Sequence, residues 1–308
     1  MAKLRSLDQL MSDINSSLDL LDGNPECIEP MHVSLQQHES LLDSCKIVAS
    51  DAQKKPPIRI IFHFACSGGT LVSKCLAALP NVFLFSELHP TSTLHMGNGN
   101  PRFLPSDVTT HARYAGVPSV DDLAWKLFTN NIQVANQHIR DLGGYMVIRD
   151  HTHSDYCVGN NLVTSSAIIE HLRNDFDILK VVTLRNPIDS FLSLQKNGWV
   201  HFEPANFEEY CRRLIEFLRQ FDVSEIIRYE DIVKYPKRNI KKLARKLKLP
   251  YSPTFIETFS AFKVTGDSGR TGDVISLRPR RELSKAFEEE INNSGSFQYI
   301  ANKFGYDT

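Results

Sequence analysis

Residues 58–90 read IRIIFHFACSGGTLVSKCLAALPNVFLFSELHP, and the prediction of the fold starts from this stretch. Its apolar, β-branched start at 58–62 follows two prolines and predicts a buried strand. Small and polar residues occupy 65–70, and apolar residues then recur at helical spacing from Leu71 to Leu79. A strand, a glycine-bearing turn and a helix in that order form an anion site, because the turn exposes backbone N–H groups and the helix N-terminus attracts negative charge. An ordinary βα turn without a ligand has the same pattern, so the turn alone does not assign phosphate binding.

Two familiar kinds of phosphate loop differ from this turn. A nucleoside triphosphatase loop has Lys directly after its last Gly, whereas here Thr70 follows Gly69 and the nearest lysine is Lys74. A cysteine-based phosphatase has Arg six positions after its Cys, whereas Val72 stands at that position after Cys66. Neither pattern matches.

The composition predicts a globular protein. The 308 residues have room for one large α/β domain or two small ones, and the formal net charge of −1 argues against a dedicated nucleic-acid binder. The Lys/Arg-rich stretch 237–248 has apolar residues at helical spacing, which favours the solvated face of an amphipathic helix over a membrane or acidic-partner surface. The six cysteines have neither C-x-x-C nor zinc spacing, which is typical of reduced, buried thiols.

The first 55 residues predict a helical extension before a main domain at 56–308. Apolar residues recur every three or four positions between 4 and 21, and 32–50 predicts a second helix. Such an extension would serve as a flap, as a dimerisation element or as packing on the main domain, so a homodimer stays open. The sequence shows neither a signal-peptide h-region nor an apolar run of membrane-spanning length, so we expect a cytoplasmic protein without a transmembrane segment.

Strands and helices alternate along the rest of the chain. Strands are predicted at 58–62, 81–86, 144–148, 178–184 and 225–228, and helices at 71–79, 121–136, 164–173, 188–195, 207–221, 240–247, 284–291 and 297–304. The intervening stretch 89–117 is too long for a simple connection and predicts a substrate-side loop. This alternation predicts an α/β fold in three layers, with a parallel sheet covered by helices on both faces.

Polar residues follow the predicted strands at the points where they end. The turn 66–70, Glu87, Arg149 with His151, and Arg185 each come directly after an apolar run. Because ligands of such sheets bind beyond the carboxyl ends of the strands, this pattern predicts a site for a polyanionic ligand.

A second motif lies at 185–193 and reads RNPIDSFLS. An arginine at a strand end can place two N–H groups on a phosphate, and Ser193, two turns into the next helix, would add a hydroxyl. In the alternative interpretation, Arg185 pairs with Asp189 and Ser193 lies on a helix surface.

These two motifs resemble those of the PAPS-dependent sulfotransferases, whose donor is 3′-phosphoadenosine 5′-phosphosulfate (PAPS). Residues 65–70 are similar to the phosphosulfate loop P-[KR]-[SA]-G-[TS]-T, and RNPIDSFLS fills every specified position of the 3′-phosphate motif R-[ND]-P-x-[DE]-x-x-x-S. The resemblance implies a P-loop nucleotide-kinase-like fold and a donor site formed by Cys66, Ser67, Gly68, Gly69, Thr70, Arg185 and Ser193.

Three shorter segments agree with this resemblance. Residues 149–151 (RDH) are similar to the K-x-H of the cytosolic sulfotransferases, and Tyr229 begins a segment similar to Y-E-D, whose Tyr lies near the adenine. Arg270 lies in 269–273 (GRTGD), which resembles in part the R-K-G-x-x-G-[DE] loop on the 3′-phosphate. The nearby arginines at 278, 280 and 281 would assist there or form a solvated basic turn.

Two residues compete for the role of general base that the resemblance implies. His151 matches the cytosolic branch and ordinarily titrates near neutral pH. Glu87 stands where tyrosylprotein sulfotransferases place their catalytic Glu. We favour His151, and we interpret the other nearby histidines as structural (His63, His89, His95 and His153).

Cys66 departs from the family pattern, which has Lys or Arg at this position. A thiol cannot act as a cation at the leaving oxygen, and a thiolate favoured by the dipole of the turn would repel phosphate. Either another cation replaces it, with Arg149 preferred to Lys74, or transfer is slow or absent.

The function that we predict from the sequence is a PAPS-dependent sulfotransferase without a metal. Its acceptor would be a hydroxyl or amine of a small molecule, lipid or saccharide, and nucleic acid is not expected as a partner. One alternative is a catalytically weak sulfotransferase-like protein that binds the adenosine bisphosphate product (PAP) or PAPS. The other is a P-loop small-molecule kinase with Asp150 as its metal ligand.

Overall fold

A computed structural model describes residues 12, 15–16, 55–92, 107–264, 274–276 and 280–307. Contacts divide the chain into two units, 1–54 and 55–308. The predicted extension falls almost wholly outside the described residues, so its helices and its role stay predictions. All the elements below belong to the second unit.

The strands are β1 (Pro57–His63), β2 (Val82–Leu88), β3 (Tyr145–Asp150), β4 (Val158–Gly159), β5 (Asp177–Leu184), β6 (His201–Phe202) and β7 (Ile226–Arg228). The helices are α1 (Gly69–Ala77), α2 (Val108–Tyr114), α3 (Val120–Asp141), α4 (Thr152–Tyr156), α5 (Ala167–Leu172), α6 (Pro187–Lys196), α7 (Phe207–Leu218), α8 (Tyr229–Lys234), α9 (Pro236–Lys246), α10 (Phe255–Thr258), α11 (Lys285–Asn293) and α12 (Gly295–Phe304). Single 3₁₀ turns lie at Val223–Glu225 and Phe259–Ala261.

The central sheet has five strands in the order β2-β3-β1-β5-β7, and every pairing is parallel. β1 lies in the middle, where it pairs with β5 along its whole length. Parallel strands need a covered sheet, and alternate side chains of β1 enter two different cores. Ile58, Ile60 and Phe62 pack with α3, α5, α6, α7, α11 and α12. Ile61 packs on the other side with α1, α8, α9 and α10. The predicted three-layer α/β fold is therefore confirmed.

The structure differs from the predicted elements mainly in short segments. The stretch 89–117 contains α2, whose N-terminus is capped by Asp107 accepting a hydrogen bond of 3.1 Å from the Thr110 amide. The short helix α4 and the two-stranded pair β4-β6 were not predicted, because they are too brief to show periodicity. β2 continues to Leu88, two residues beyond the predicted end. Among the described residues, no helix has both the length and the apolarity to cross a membrane.

Candidate functional site

A cavity of about 550 Å³ opens at the carboxyl ends of the central strands. The sequence-predicted residues that line it are Cys66, Ser67, Gly68, Gly69, Thr70, Glu87, Arg149, His151, Arg185, Ser193 and Tyr229. The remaining one, Arg270, lies outside the described residues. The structure thus brings together, in one cavity, side chains that are up to 163 positions apart, from Cys66 to Tyr229.

The turn between β1 and α1 is shaped by two residues with left-handed backbone. Cys66 has φ 60° and Gly68 has φ 87°, and the Ser67 amide donates to the Phe64 carbonyl at 3.0 Å. A Cβ on Gly68 would lie 2.2 Å from the ring of Tyr229, so glycine is required by both conformation and space. The first residues of α1 line the cavity, so the N-terminal end of that helix faces it.

The His63 side chain packs against the same turn. A Cβ on Gly69 would lie 2.7 Å from the His63 ring, so turn and ring pack directly together. Nδ1 of His63 is hydrogen-bonded to the Thr183 hydroxyl. Burial holds the pKa of His63 well below its ordinary value, with the charge of Arg149 acting in the same direction. The ring is therefore neutral, which agrees with a structural role.

The Cys66 side chain is a neutral thiol. Burial raises its pKa to about 11, although Arg185, Asn197 and Arg281 act in the opposite direction. Its Sγ lies 4.0 Å from Nδ2 of Asn197, just beyond α6. The thiolate that the dipole of the turn was expected to favour does not form at neutral pH, because desolvation outweighs the nearby positive groups.

Arg185 joins the turn to the end of β5. Its Nη1 donates to the Cys66 carbonyl at 3.2 Å, and its guanidinium lies 5.4 Å from the centre of the Tyr229 ring. The alternative in which Arg185 pairs with Asp189 is wrong, because Asp189 instead faces Nε of Arg280 at 3.5 Å.

The connection from β5 to α6 is held by a carboxylate whose role the sequence did not reveal. Glu230 accepts from the Asn186 amide at 2.8 Å through Oε1 and from the Tyr306 hydroxyl at 3.2 Å through Oε2. The same hydroxyl lies 3.3 Å from the Leu184 carbonyl. Asn186 then caps α6 by accepting from the Ile188 amide at 3.0 Å. These bonds fix the orientation of Arg185, which lies between Leu184 and Asn186.

The first turns of α6 carry two further features of the cavity wall. The Ser193 hydroxyl donates to the Asp189 carbonyl at 2.9 Å, as hydroxyls within helices often do. Arg281, which also lines the cavity, donates from Nη1 to the Leu192 carbonyl at 3.0 Å. Arg280 and Arg281 are thus both anchored on α6.

Glu87 and Arg149 face each other across neighbouring strands. Nη2 of Arg149 lies 2.9 Å from Oε1 of Glu87, and the register of β2 on β3 shifts between Phe85 and Leu88. Glu87 has φ 56°, an unusual value for a residue with a side chain. The irregular end of β2 turns the Glu87 carboxylate toward Arg149. Glu87, the second candidate base, and Arg149, the candidate cation, therefore form an ion pair with each other.

His151 stands at the N-cap of α4, at the end of β3. Its Nδ1 lies 3.0 Å from the Ser154 hydroxyl and 3.4 Å from the Ser92 hydroxyl. The two hydroxyls are themselves 2.6 Å apart. These contacts fix the ring orientation, and proton transfer by His151 would then use Nε2.

The other histidines have distinct surroundings. His153, 5.5 Å from the His201 ring between centroids, has a pKa of about 3 because it is buried and lies near His151 and His201. His89 forms a 2.8 Å ion pair with Asp155. Burial opposes protonation of His89, but the hydrogen bond and charge of Asp155 outweigh it and raise the pKa. His95 lies outside the described residues.

Several buried polar atoms in the cavity wall have no hydrogen-bond partner among the described residues. They are His63 Nε2, Ser67 Oγ, Asp150 Oδ1 and His153 Nε2. Leaving such groups unpaired is costly, so their concentration in one cavity indicates a polar ligand. Asp150, whose pKa burial and the charge of Asp155 raise to about 7, bonds through its other oxygen to Thr152 at 2.8 Å.

The structure also distinguishes between the two cations that were candidates to take the role of the lysine or arginine missing at position 66. Arg149 lines the cavity, whereas Lys74 of α1 is not among its lining residues. The cavity also includes cations that the sequence analysis did not single out for this role, Lys196 and Arg281. Lys196 lies one turn after Ser193 on α6, a helical spacing that would have identified it.

Comparisons with known proteins give low-identity structural similarities. The sequence matches no family model, and no curated protein matches it significantly. Solved sulfotransferases are similar to this chain. The sulfotransferase domain from the curacin biosynthetic pathway is 18% identical with a TM-score of 0.49, over 83% of this chain and 99% of that one. The domain from the Synechococcus PCC 7002 olefin synthase is 19% identical with a TM-score of 0.45, over 83% and 97%. Mouse sulfotransferase SULT7A1, complexed with PAP, is 11% identical with a TM-score of 0.41, over 84% and 94%.

Proposed function

We propose that this protein is a PAPS-dependent sulfotransferase acting on a hydroxyl or amine of a small molecule, lipid or saccharide. The observation that carries the proposal is the convergence of two separate motifs on one cavity. The turn 66–70 and Arg185, which are directly hydrogen-bonded, face the same space from β1 and β5. The Ser67 hydroxyl, which has no hydrogen-bond partner in the described part of the chain, lies in the same wall. A cytoplasmic location and the domain division at 55 remain part of the proposal.

The residues of the cavity fit an adenosine bisphosphate with a sulfuryl group. Ser67, Gly68, Gly69 and Thr70 would hold the 5′ end, since a glycine turn on a helix N-terminus attracts an anion. Arg185 and Ser193 would hold the 3′-phosphate, with Arg270 from the C-terminal segment and Arg281 beside them. Tyr229, packed on Gly68, would lie against the adenine.

The chemistry needs in-line transfer of the sulfuryl group from the donor to the acceptor. The acceptor oxygen or nitrogen bonds to sulfur as the bond from sulfur to the phosphate oxygen breaks, and the acceptor proton goes to a base. His151 would take that proton at Nε2, because Nδ1 contacts Ser154. Arg149 would supply positive charge near the transferred group, balanced in the free protein by Glu87.

The test is calorimetric binding of 3′,5′-adenosine bisphosphate without magnesium, with ATP and magnesium as the competing ligand. We expect the bisphosphate to bind the wild type and to bind Arg185→Ala about ten- to a hundredfold more weakly, because a charge-assisted contact is lost. Arg219→Ala is the matched control, since Arg219 is exposed and pairs with Glu216 on α7. Binding of ATP with magnesium but not of the bisphosphate would favour the kinase alternative.

A second function, binding of the bisphosphate without transfer, is favoured by the neutral Cys66. Labelled PAPS incubated with a range of hydroxyl and amine acceptors separates the two functions. Binding without a sulfated product from any acceptor, even with Cys66→Lys, would support the binding protein.

A further inference from the structure

The charge of this chain is strongly segregated around α9. Residues 232–256 contain no Asp or Glu and eight cations, which are Lys234, Lys237, Arg238, Lys241, Lys242, Arg245, Lys246 and Lys248. Since the whole chain has a formal charge of −1, the remainder carries −9. A net charge near zero therefore conceals a locally very basic element.

The cations form one exposed face of the helix. Ile240, Leu243 and Leu247 are fully buried on the inner side. Lys237, Lys241 and Arg245 recur every four residues and are exposed, as are Arg238 and Lys242 in the adjacent row. We call these five residues the basic face. With 11 residues, α9 is about 16 Å long, so the face is a continuous strip.

No described carboxylate forms an ion pair with any residue of the basic face. Some other exposed cations do form ion pairs. Arg173, Arg212 and Arg219 each pair with a glutamate three residues earlier in the chain. The charge of the basic face is therefore available to a partner outside this set of residues.

We propose that the basic face docks the protein on an anionic phospholipid surface. Six of the eight cations are lysines, whose compact charges suit the diffuse field of a headgroup layer, whereas planar recognition of single phosphates favours arginine. Tyr235, 50% exposed at the start of α9, is a residue type that settles at headgroup level. Because the apolar side of α9 is buried in the core, binding is peripheral and electrostatic, and salt weakens it.

Vesicle co-sedimentation of the full chain tests this proposal. The probes are phosphatidylcholine vesicles and vesicles with about one-third phosphatidylserine, at about 0.1 M and about 0.5 M salt. We expect binding only to the anionic vesicles and only at low salt. Lys237→Gln/Lys241→Gln/Lys242→Gln/Arg245→Gln should lower the partition coefficient on the order of a thousandfold.

Two control variants keep the test specific. Lys126→Gln/Arg140→Gln/Lys285→Gln/Lys303→Gln removes the same charge from exposed positions elsewhere and should bind as the wild type does. A variant with arginine at the three lysines of the basic face should also bind, which separates charge from loss of folding.

Three results would overturn the proposal. They are equal binding to both kinds of vesicle, equal loss in the two glutamine variants, or release from anionic vesicles by duplex DNA at a lower phosphate concentration than by competing phosphatidylserine vesicles. The last result would make a nucleic-acid polyanion the preferred partner.

Discussion

Arg149 and Glu87 form an ion pair of 2.9 Å between the ends of β3 and β2, and Glu87 reaches it from left-handed backbone. Arg149 is 8% exposed, and burial lowers its pKa, whereas the charges of Glu87 and Asp150 both act in the opposite direction. A buried cation that lines a cavity is well placed to meet an incoming anion. Glu87→Gln should destabilise the protein by about 3 kcal/mol, because it removes the carboxylate that interacts most strongly with this buried charge. Urea unfolding measures this loss.

A double-mutant cycle with Arg149→Met controls for the loss of other contacts. If the ion pair is the cause, Glu87→Gln should cost much less in the Arg149→Met background. Equal cost in both backgrounds would mean that Glu87 stabilises the strand end by itself. The proposed sulfotransferase activity, measured in Glu87→Gln and in His151→Gln, also separates the two candidate bases. We expect the larger loss, on the order of a hundredfold or more, in His151→Gln.

The Ser154 hydroxyl, 3.0 Å from Nδ1 of His151, should set the tautomer of the ring. We expect the wild-type proton on Nδ1, which leaves the lone pair on Nε2 toward the cavity. Nitrogen-15 NMR of labelled histidine reads the tautomer without any acceptor. Ser154→Ala should mix the two tautomers, whereas Thr258→Ala, an exposed hydroxyl on α10, should change nothing. A wild-type ring protonated on Nε2 would contradict His151 as the base.

Gly68 should tolerate no side chain. A Cβ would approach Tyr229 to 2.2 Å, and φ 87° adds backbone strain. Gly68→Ala should weaken binding of 3′,5′-adenosine bisphosphate about a hundredfold, because either the turn or Tyr229 must move. Gly159→Ala is the matched control, since Gly159 also has positive φ (61°) but meets no atom within 4 Å. It should lower stability by about 1 kcal/mol and leave the affinity unchanged.

The sequence predicted the elements whose signals are local. β1, the turn and α1 could be predicted because a continuous apolar run is followed by two glycines and then by apolar residues at helical spacing. The motif at Arg185 follows a similar apolar strand. α2 was missed because its capping residue, Asp107, follows a stretch rich in Pro, Gly and Asn that favours a loop.

Contacts between residues far apart in the chain could not be predicted from the sequence, because they depend on how the elements pack. The bond from Tyr306 to Glu230 joins residues 76 positions apart, and only the packing of the C-terminal segment brings them together. The neutral state of Cys66 likewise depends on burial, which overrides the favourable dipole that the local sequence indicates.

Acid should destabilise the protein through Glu209, which bonds to the buried Arg213 at 2.7 Å. Arg213 also donates to the carbonyls of Tyr156, Val158 and Gly159, so the pair supports the start of β4. Burial alone would raise the pKa of Glu209, but the hydrogen bonds and charges of the two adjacent arginines outweigh it and lower the pKa below its ordinary value of 4.5. The resulting stability is complete above pH 4.5 and is lost as pH falls through the lowered value.

Glu209→Gln measures that contribution. The variant should lose about 3 kcal/mol in urea unfolding at pH 7, and the difference from the wild type should shrink as the pH falls below 4.5 and Glu209 becomes protonated. Glu216→Gln on the same helix is the control and should cost less than about 1 kcal/mol, because its partner Arg219 is exposed. A loss at Glu209 that does not change with pH would exclude the ionised pair as its cause.

Cys66→Lys should increase affinity for 3′,5′-adenosine bisphosphate roughly tenfold, because it adds a cation to a wall that now presents a neutral thiol. The backbone at φ 60° disfavours lysine no more than cysteine, since neither is β-branched. Calorimetry of wild type, Cys66→Lys and Cys66→Ala measures the effect. Because the thiol pKa is about 11, wild type and Cys66→Ala should show the same affinity change between pH 7 and 9. A wild-type affinity that falls more steeply than that of Cys66→Ala over this interval would mean that a thiolate forms there and repels the phosphate.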